Sequence, residues 1–222
     1  MATYNEFKDA IDDLLGLAAA RQVLQLNSPK IEKAFEIYVL SLVAEAIKNA
    51  GGHSTITGIN SGSNPRPVVF RANPGSIHST KKDFAYLNCS LNKKEFELHV
   101  DVEFEGTSGA THEIDVSLIE HHHASRSREA KRNPKYPVFI VECKFFSKSR
   151  PSTGLARALV GLVSDITKKP FSVFFISNDA TDNLKKYLSK PKGTCPFTDL
   201  NRETEQRFIY FIETKLKQWE FA

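Results

Sequence analysis

Glu142 and Lys144 stand two residues apart inside PVFIVECKFF (137–146), a run otherwise apolar, β-branched or aromatic, the composition of a central strand covered on both faces. Strand side chains alternate, so both charges point to one face. Burial without partners would cost several kcal/mol, so they must be paired, hydrated at a strand end or bound to a metal ion. Asp115 poses the same problem in HEIDVSLIE (112–120), where Ile114, Val116 and Leu118 share one face and Glu113, Asp115 and Ser117 the other. If these strands are neighbours, Asp115 and Glu142 converge with Lys144 around one small volume. Two carboxylates of this kind are hard oxygen ligands suited to magnesium or manganese.

A fourth group comes from a helix expected at about 29–50, with Ser28 as N-cap, Pro29 in the first turn and Gly51-Gly52 closing the far end. At roughly 100° per residue from Ile31, the apolar Ala34, Phe35, Tyr38 and Leu42 fall within about 60° of zero and Glu45 falls near −40°. Glu45 therefore lies inside the apolar arc, whereas Glu32 and Glu36 fall near +100° and +140°, roughly where solvated acids belong. An acid on the packing face needs a reason, and proximity to Lys144 or to a metal supplies one; snorkelling from the edge of the stripe is the alternative.

Asp115, then Glu142-Cys143-Lys144 in an apolar strand, with the helical Glu45 ahead of them, resembles the PD-(D/E)XK nuclease superfamily over about 29–178. Ile114 stands where the superfamily name has proline. The resemblance implies a restriction-endonuclease-like α/β fold, a central mixed sheet flanked by helices in αβββαβ order, with helical additions at both ends. It also implies phosphodiester hydrolysis dependent on magnesium or manganese. Asp115, Glu142 and the main-chain carbonyl of Cys143 would bind the metal. Lys144 would hold or deprotonate the attacking water, or neutralise charge on the phosphate, and Glu45 would orient Lys144 or support a second metal. DNA is the substrate this superfamily leans to, RNA the alternative, and cutting two strands would favour a homodimer.

The elements that must position these residues are legible from periodicity. Residues 4–24 carry Phe7, Ile11, Leu14, Leu15 and Ala18 at helical spacing, and strands are expected at 54–59, 67–71 and 84–91. The last leads through Asn92-Lys93 into EFELHVDVEFEG (95–106), where Phe96, Leu98, Val100, Val102 and Phe104 alternate with polar residues, a hairpin pattern. On that reading Asp101, Glu103 and Glu105 form its solvated face unless one of them reaches a metal, and Glu113 beside Asp115 is a rim acid or salt-bridge partner unless it supplements the acidic cluster. A helix is expected at 153–168, a strand at 171–177, a short helix at 181–190 and a C-terminal helix at 203–219. No composition shift divides the chain, so one domain is expected over 1–222, with a core at 29–178, an N-terminal helix in 1–28 and a helical extension at 179–222.

Charge is more informative by position than in total. The chain of 222 residues carries a net +4, but residues 1–120 hold 16 acidic against 11 basic side chains, and 121–157 hold 9 basic against 2 acidic. Arg126, Arg128, Lys131, Arg132, Lys135, Lys148, Arg150 and Arg157 would grip a phosphate backbone if they share a surface; the alternative is a solvated loop over 121–135. His121, His122 and His123 in that loop cannot all hold one ion, because successive residues of an extended chain point to opposite sides. Three widely spaced cysteines, Cys89, Cys143 and Cys195, read as free thiols of a reducing compartment, with Cys143 a small buried hydrophobe. With no leader-like start and no spanning apolar stretch, a cytoplasmic chain without a membrane partner is expected. Two rivals remain: a nuclease-like fold that only binds nucleic acid or a partner protein, and a structural ion-pair network among Glu45, Asp115, Glu142 and Lys144.

Overall fold

The computed structural model describes residues 2–147, 152–166, 169–190 and 194–220. In chain order they form α1 (Tyr4–Leu14), β1 (Leu24–Leu26), α2 (Ile31–Asn49), β2 (His53–Gly58), β3 (Gly62–Ser63), β4 (Val68–Phe70), β5 (Ala85–Leu91) and β6 (Lys94–Glu105). There follow β7 (Thr111–Glu120), α3 (His121–Glu129), β8 (Pro137–Lys144), α4 (Thr153–Asp165), β9 (Ser172–Ser177), α5 (Asp182–Leu188), β10 (Thr194–Phe197) and α6 (Glu205–Glu220).

Eight of the strands make one mixed sheet in the order β10-β9-β8-β7-β6-β5-β2-β3, and β1 pairs with β4 in a separate two-stranded ribbon. From β3 to β8 the neighbours are antiparallel; β8, β9 and β10 run parallel. The α4 crossover between β8 and β9 supplies the long connection that parallel pairing needs. One apolar cluster gathers Phe7 and Ile11 of α1, the buried face of α2, and Phe208, Ile212 and Leu216 of α6 against Phe96, Leu98, Val116, Leu118, Phe139 and Phe174. A second gathers Ala124 of α3, Ala156 and Leu159 of α4, and Leu184 and Leu188 of α5 against Ile119, Ile140, Val173 and Phe175. Helices thus cover both sheet faces, an α/β layering, and β8 and β9 are buried on both sides, which is why their sequences read as continuous apolar runs.

Several boundaries differ from the periodicity. The first helix starts on a capping box between Thr3 and Glu6 and stops at Leu14, after which the chain turns and enters β1. Lys30, not Ser28, is the N-cap of α2, while the Ser28 hydroxyl accepts the Lys30 N–H at 3.2 Å. The basic segment expected as a loop begins instead with α3, a helix whose only fully buried residue is Ala124, so its apolar stripe is too narrow to show in the sequence. TCPF, which forms β10 beside β9, carries no strand alternation at all.

Gly106 explains how the β6–β7 turn docks on α4. A Cβ there would meet the Asp165 carboxylate at 2.1 Å, and the space it leaves lets Asp165 accept from the Thr107 hydroxyl at 2.7 Å, the Ser108 N–H at 2.8 Å and His112 Nε2 at 2.6 Å.

Candidate functional site

The β7–β8 ladder ends at the rung Val116↔Val141, and the next residues on either side are Asp115 and Glu142. Where the ladder stops, the backbone N–H of Cys143 would lack a partner; the Asp115 carboxylate takes it, Oδ2 accepting at 2.7 Å. The same oxygen accepts from Lys144 Nζ at 3.0 Å, and that ammonium reaches Glu142 Oε1 at 2.6 Å. The structure thus brings together Asp115, Glu142 and Lys144, at a strand end where all three are largely withdrawn from water. Burial works against the Lys144 charge, but Asp115 and Glu142 outweigh it and hold the ammonium above its ordinary pKa. Burial and the Asp115 charge push the Glu142 carboxyl up, with Lys144 opposing them.

Two further acids complete the cluster, and neither is the one the helical wheel selects. Glu36 of α2 is 5% exposed, and Asp101 of β6 is fully buried; with Asp115 they place one carboxylate oxygen each within 4.8 Å of one another. Glu36 escapes the wheel argument because α2 is covered by α1, α6 and the sheet together, so nearly all of 34–44 is buried and the polar arc at Glu36 is not a solvent face. Glu45 lies elsewhere, two turns along, where it pairs with Lys48 at 3.3 Å in a cavity shared with Asp13, Leu14 and His53.

Asp101 is buried because the alternation of β6 slips there. Val100 pairs with Val116 and Val102 with Ile114, so Asp101 sits opposite Asp115. The first residue pair belongs to the α2-side core and the second to the core of the opposite face. The change of face coincides with a φ of +52° at Asp101, in the left-handed region that Asp tolerates better than most residues. The expected one-face arrangement of Ile114 with Val116 and Leu118 fails at the same level, as does the solvated face expected for Asp101.

Two like charges opposed across a pair of strands repel, and Lys33 of α2 answers them, its ammonium 2.8 Å from Asp101 Oδ1, 2.9 Å from Glu36 Oε2 and 3.7 Å from Glu113 Oε1. Burial, Asp115 and Asp101 together push the Glu36 carboxyl up to about 9, with Lys33 opposing. Burial raises Glu113 to about 7, Lys33 opposing and Asp101 and Asp115 assisting. Asp101 Oδ2 is buried and takes no N–H or hydroxyl donor, and the Glu113 carboxyl is the neighbour within hydrogen-bond reach of the Asp101 carboxylate.

Five carboxyls therefore surround two ammoniums, and one carboxylate oxygen, Asp101 Oδ2, is left with no N–H or hydroxyl donor. All the donors are hard oxygens, and Glu36, Asp101 and Asp115 each bring one close enough to share an ion, so these residues fit a divalent cation of the magnesium or manganese type. The Cys143 side chain takes no part; it is buried in the α2-side core with its thiol pushed well up by burial.

The basic residues divide between an inward-turned arginine and others at or near the surface. Arg128 turns inward, with both terminal nitrogens 2.6 Å from the buried Glu97. Arg126, Arg132 and Lys135 line one cavity with Tyr136, where Lys135 also pairs with Glu105 at 2.7 Å. Lys131 lines a different cavity, and Arg157 is exposed on α4. Lys148 and Arg150 lie outside the described residues.

Because 121–129 is helical, the extended-chain argument against the histidines does not hold: Glu120, His122 and His123 bring ligand atoms within 4.8 Å of one another. His121 departs toward Glu97, its Nδ1 at 2.9 Å. Cys89, Cys143 and Cys195 are free thiols, and among the described residues no helix is long and apolar enough to cross a membrane.

No family model, no curated protein and no solved structure matches the chain.

Proposed function

We propose that the chain is a nuclease, a divalent-metal-dependent phosphodiester hydrolase with a restriction-endonuclease-like core, acting on DNA. One observation carries this reading: Asp115 holds Lys144 and the Cys143 N–H with a single oxygen, beside Glu36, Glu142 and an Asp101 oxygen that is buried without an N–H or hydroxyl donor.

Asp115 and Glu142 would hold the ion, with Asp101 and Glu36 completing an all-oxygen set. When bound, such an ion polarises a phosphate oxygen and lowers the pKa of a coordinated water. Lys144, kept protonated by two carboxylates, serves as a fixed positive charge beside the reacting phosphate and not as a base. Fixed charge that needs no reorganisation is the larger contribution in reactions of this kind. The Cys143 N–H locks the Asp115 rotamer, so the carboxylate is aimed before substrate arrives. Lys33 keeps the neighbouring acids from repelling one another in the metal-free protein.

That last contact also supports a second reading, a purely structural charge network, because Lys33 removes part of the imbalance. Magnesium separates the two. The hydrolase reading expects added magnesium to raise the melting temperature of the wild type and not of Asp115→Ala. It expects magnesium-dependent nicking of plasmid DNA that Glu142→Ala and Lys144→Ala abolish while salt-sensitive DNA binding persists. Undiminished cleavage by both variants would refute the site, and RNA run in parallel decides between the substrates.

A further inference from the structure

A cavity lies beside the acidic cluster, not on it. It measures about 890 Å³ and is bounded by the segment between β4 and β5 together with Lys131 from the turn after α3. Its cations are Arg71, Lys81, Lys82 and Lys131, with His78 among them and Glu103 as an opposing acid. Arg71 is 4% exposed, yet its Nη2 is buried without a hydrogen-bond partner, and among the described residues it makes no ion pair. Its guanidinium carbon lies 4.4 Å from the centroid of the Phe84 ring, a cation–π contact that does not neutralise its charge. Burial lowers the Arg71 pKa to about 10, Asp101 and Glu103 opposing, so the group stays charged at neutral pH. A second polar atom, His78 Nδ1, is also buried and unpartnered.

The cavity is tied to the acidic cluster through the main chain. Gly75 donates to the Asp101 carbonyl at 3.1 Å and accepts from the Glu103 N–H at 3.2 Å, anchoring the lining segment on β6 at the residue whose carboxylate oxygen lacks an N–H or hydroxyl donor. A Cβ at position 75 would stand 3.1 Å from Arg71 Nη1, so glycine there leaves room for the guanidinium. The Asp101 and Glu103 charges act on this guanidinium without a direct ion pair, so its burial stays costly until an anion reaches it, and its planar fork matches a phosphate. The volume falls within the range of small-molecule sites and is more than a lone anion needs.

We propose that this cavity binds one nucleotide unit of the substrate strand next to the acidic cluster, its phosphate on Arg71 and its flanking charge on Lys81, Lys82 and Lys131. The inference rests on the nuclease reading for the identity of the strand, but its test does not depend on cleavage. Binding of a labelled single-stranded DNA oligonucleotide, followed by fluorescence anisotropy in EDTA, should weaken at least tenfold in Arg71→Gln. In the triple variant K81Q/K82Q/K131Q, whose side chains lie at the surface, the slope of log affinity against log salt should fall by about two. Inorganic phosphate should raise the melting temperature of the wild type and not of Arg71→Gln. Wild-type binding in both variants overturns the proposal even if the protein cuts DNA. Phosphate stabilisation with no oligonucleotide binding overturns the strand assignment. Weakened binding in a protein that never cuts supports the cavity while the hydrolase reading falls.

Discussion

Arg128 offers a direct choice between two fates of a basic residue, phosphate contact or internal counter-ion. The structure gives it to Glu97, which is fully buried and accepts both guanidinium nitrogens at 2.6 Å together with His99 Nε2 at 2.8 Å. Burial alone would raise the Glu97 pKa; the bonds from Arg128 and His99 reverse it and bring the carboxyl down to about 2 from an ordinary 4.5. His99, whose own pKa burial lowers and Glu97 raises in part, meets Glu97 through Nε2. At roughly 1.4 kcal/mol per pKa unit the difference amounts to about 3.5 kcal/mol of stability. A depressed carboxyl contributes it above the unfolded pKa, so it is present above pH 4.5 and lost as pH falls toward 2. Arg128→Met strands a buried carboxylate, which costs on the order of 3–5 kcal/mol. For a chain of this length that lowers the melting temperature by roughly 6–20 °C at neutral pH. The double variant E97Q/R128M should recover much of the loss, because it removes both charges together. Thermal melts at neutral and acidic pH, with oligonucleotide binding measured in the same samples, decide the matter. An Arg128→Met protein that melts like the wild type but binds DNA tenfold more weakly would place this arginine on the nucleic acid and refute the reasoning.

Two further outcomes follow from the acidic cluster. Glu36→Gln should abolish most of the magnesium-induced rise in melting temperature, whereas Glu45→Gln should leave it intact, since Glu45 faces Lys48 and not the cluster; a loss confined to Glu45→Gln would restore the helical-wheel assignment. Glu36 and Glu113 have folded pKa values raised to about 9 and about 7 from 4.5, so the folded state binds more protons than the unfolded state between those values. Urea unfolding without metal should therefore show stability greatest at acid pH within this window and falling as pH rises toward 9, and Glu36→Gln should flatten the slope above pH 7.

How much of this was legible in the chain differs by element. The alternation in β6 and β7 and the apolar runs of β8 and β9 carried the sheet centre, and the two-residue spacing of Glu142 and Lys144 placed both beside Asp115. Periodicity failed where its premise failed. A helical wheel assumes one wet face, and α2 has almost none, so Glu36 looked solvated and Glu45 looked buried. The binary pattern assumes a constant pleat, and β6 breaks it at Asp101. A charge run says nothing of direction, so Arg128 read as surface although its partner is Glu97. Arg71, Lys81 and Lys82 lie far from the basic segment in sequence, and only the fold brings Lys131 to them.

The departures coincide at one point of the sheet, and that bears on function. At Asp101 the backbone enters a conformation that costs a non-glycine residue on the order of 1–3 kcal/mol, a like charge stands directly opposite, and a buried oxygen has no N–H or hydroxyl donor. Each feature lowers stability, and a valine at this position in a regular ladder would avoid all three. The strained backbone is what turns the carboxylate toward Glu36, Lys33 and Asp115 instead of leaving it on the opposite face with His99. Lys33 then offsets enough of the repulsion for the protein to fold with the cluster assembled. Removing the strain and the charge together should make a more stable protein that no longer responds to a divalent ion, the behaviour of a site held ready for a ligand and not of a network built for rigidity.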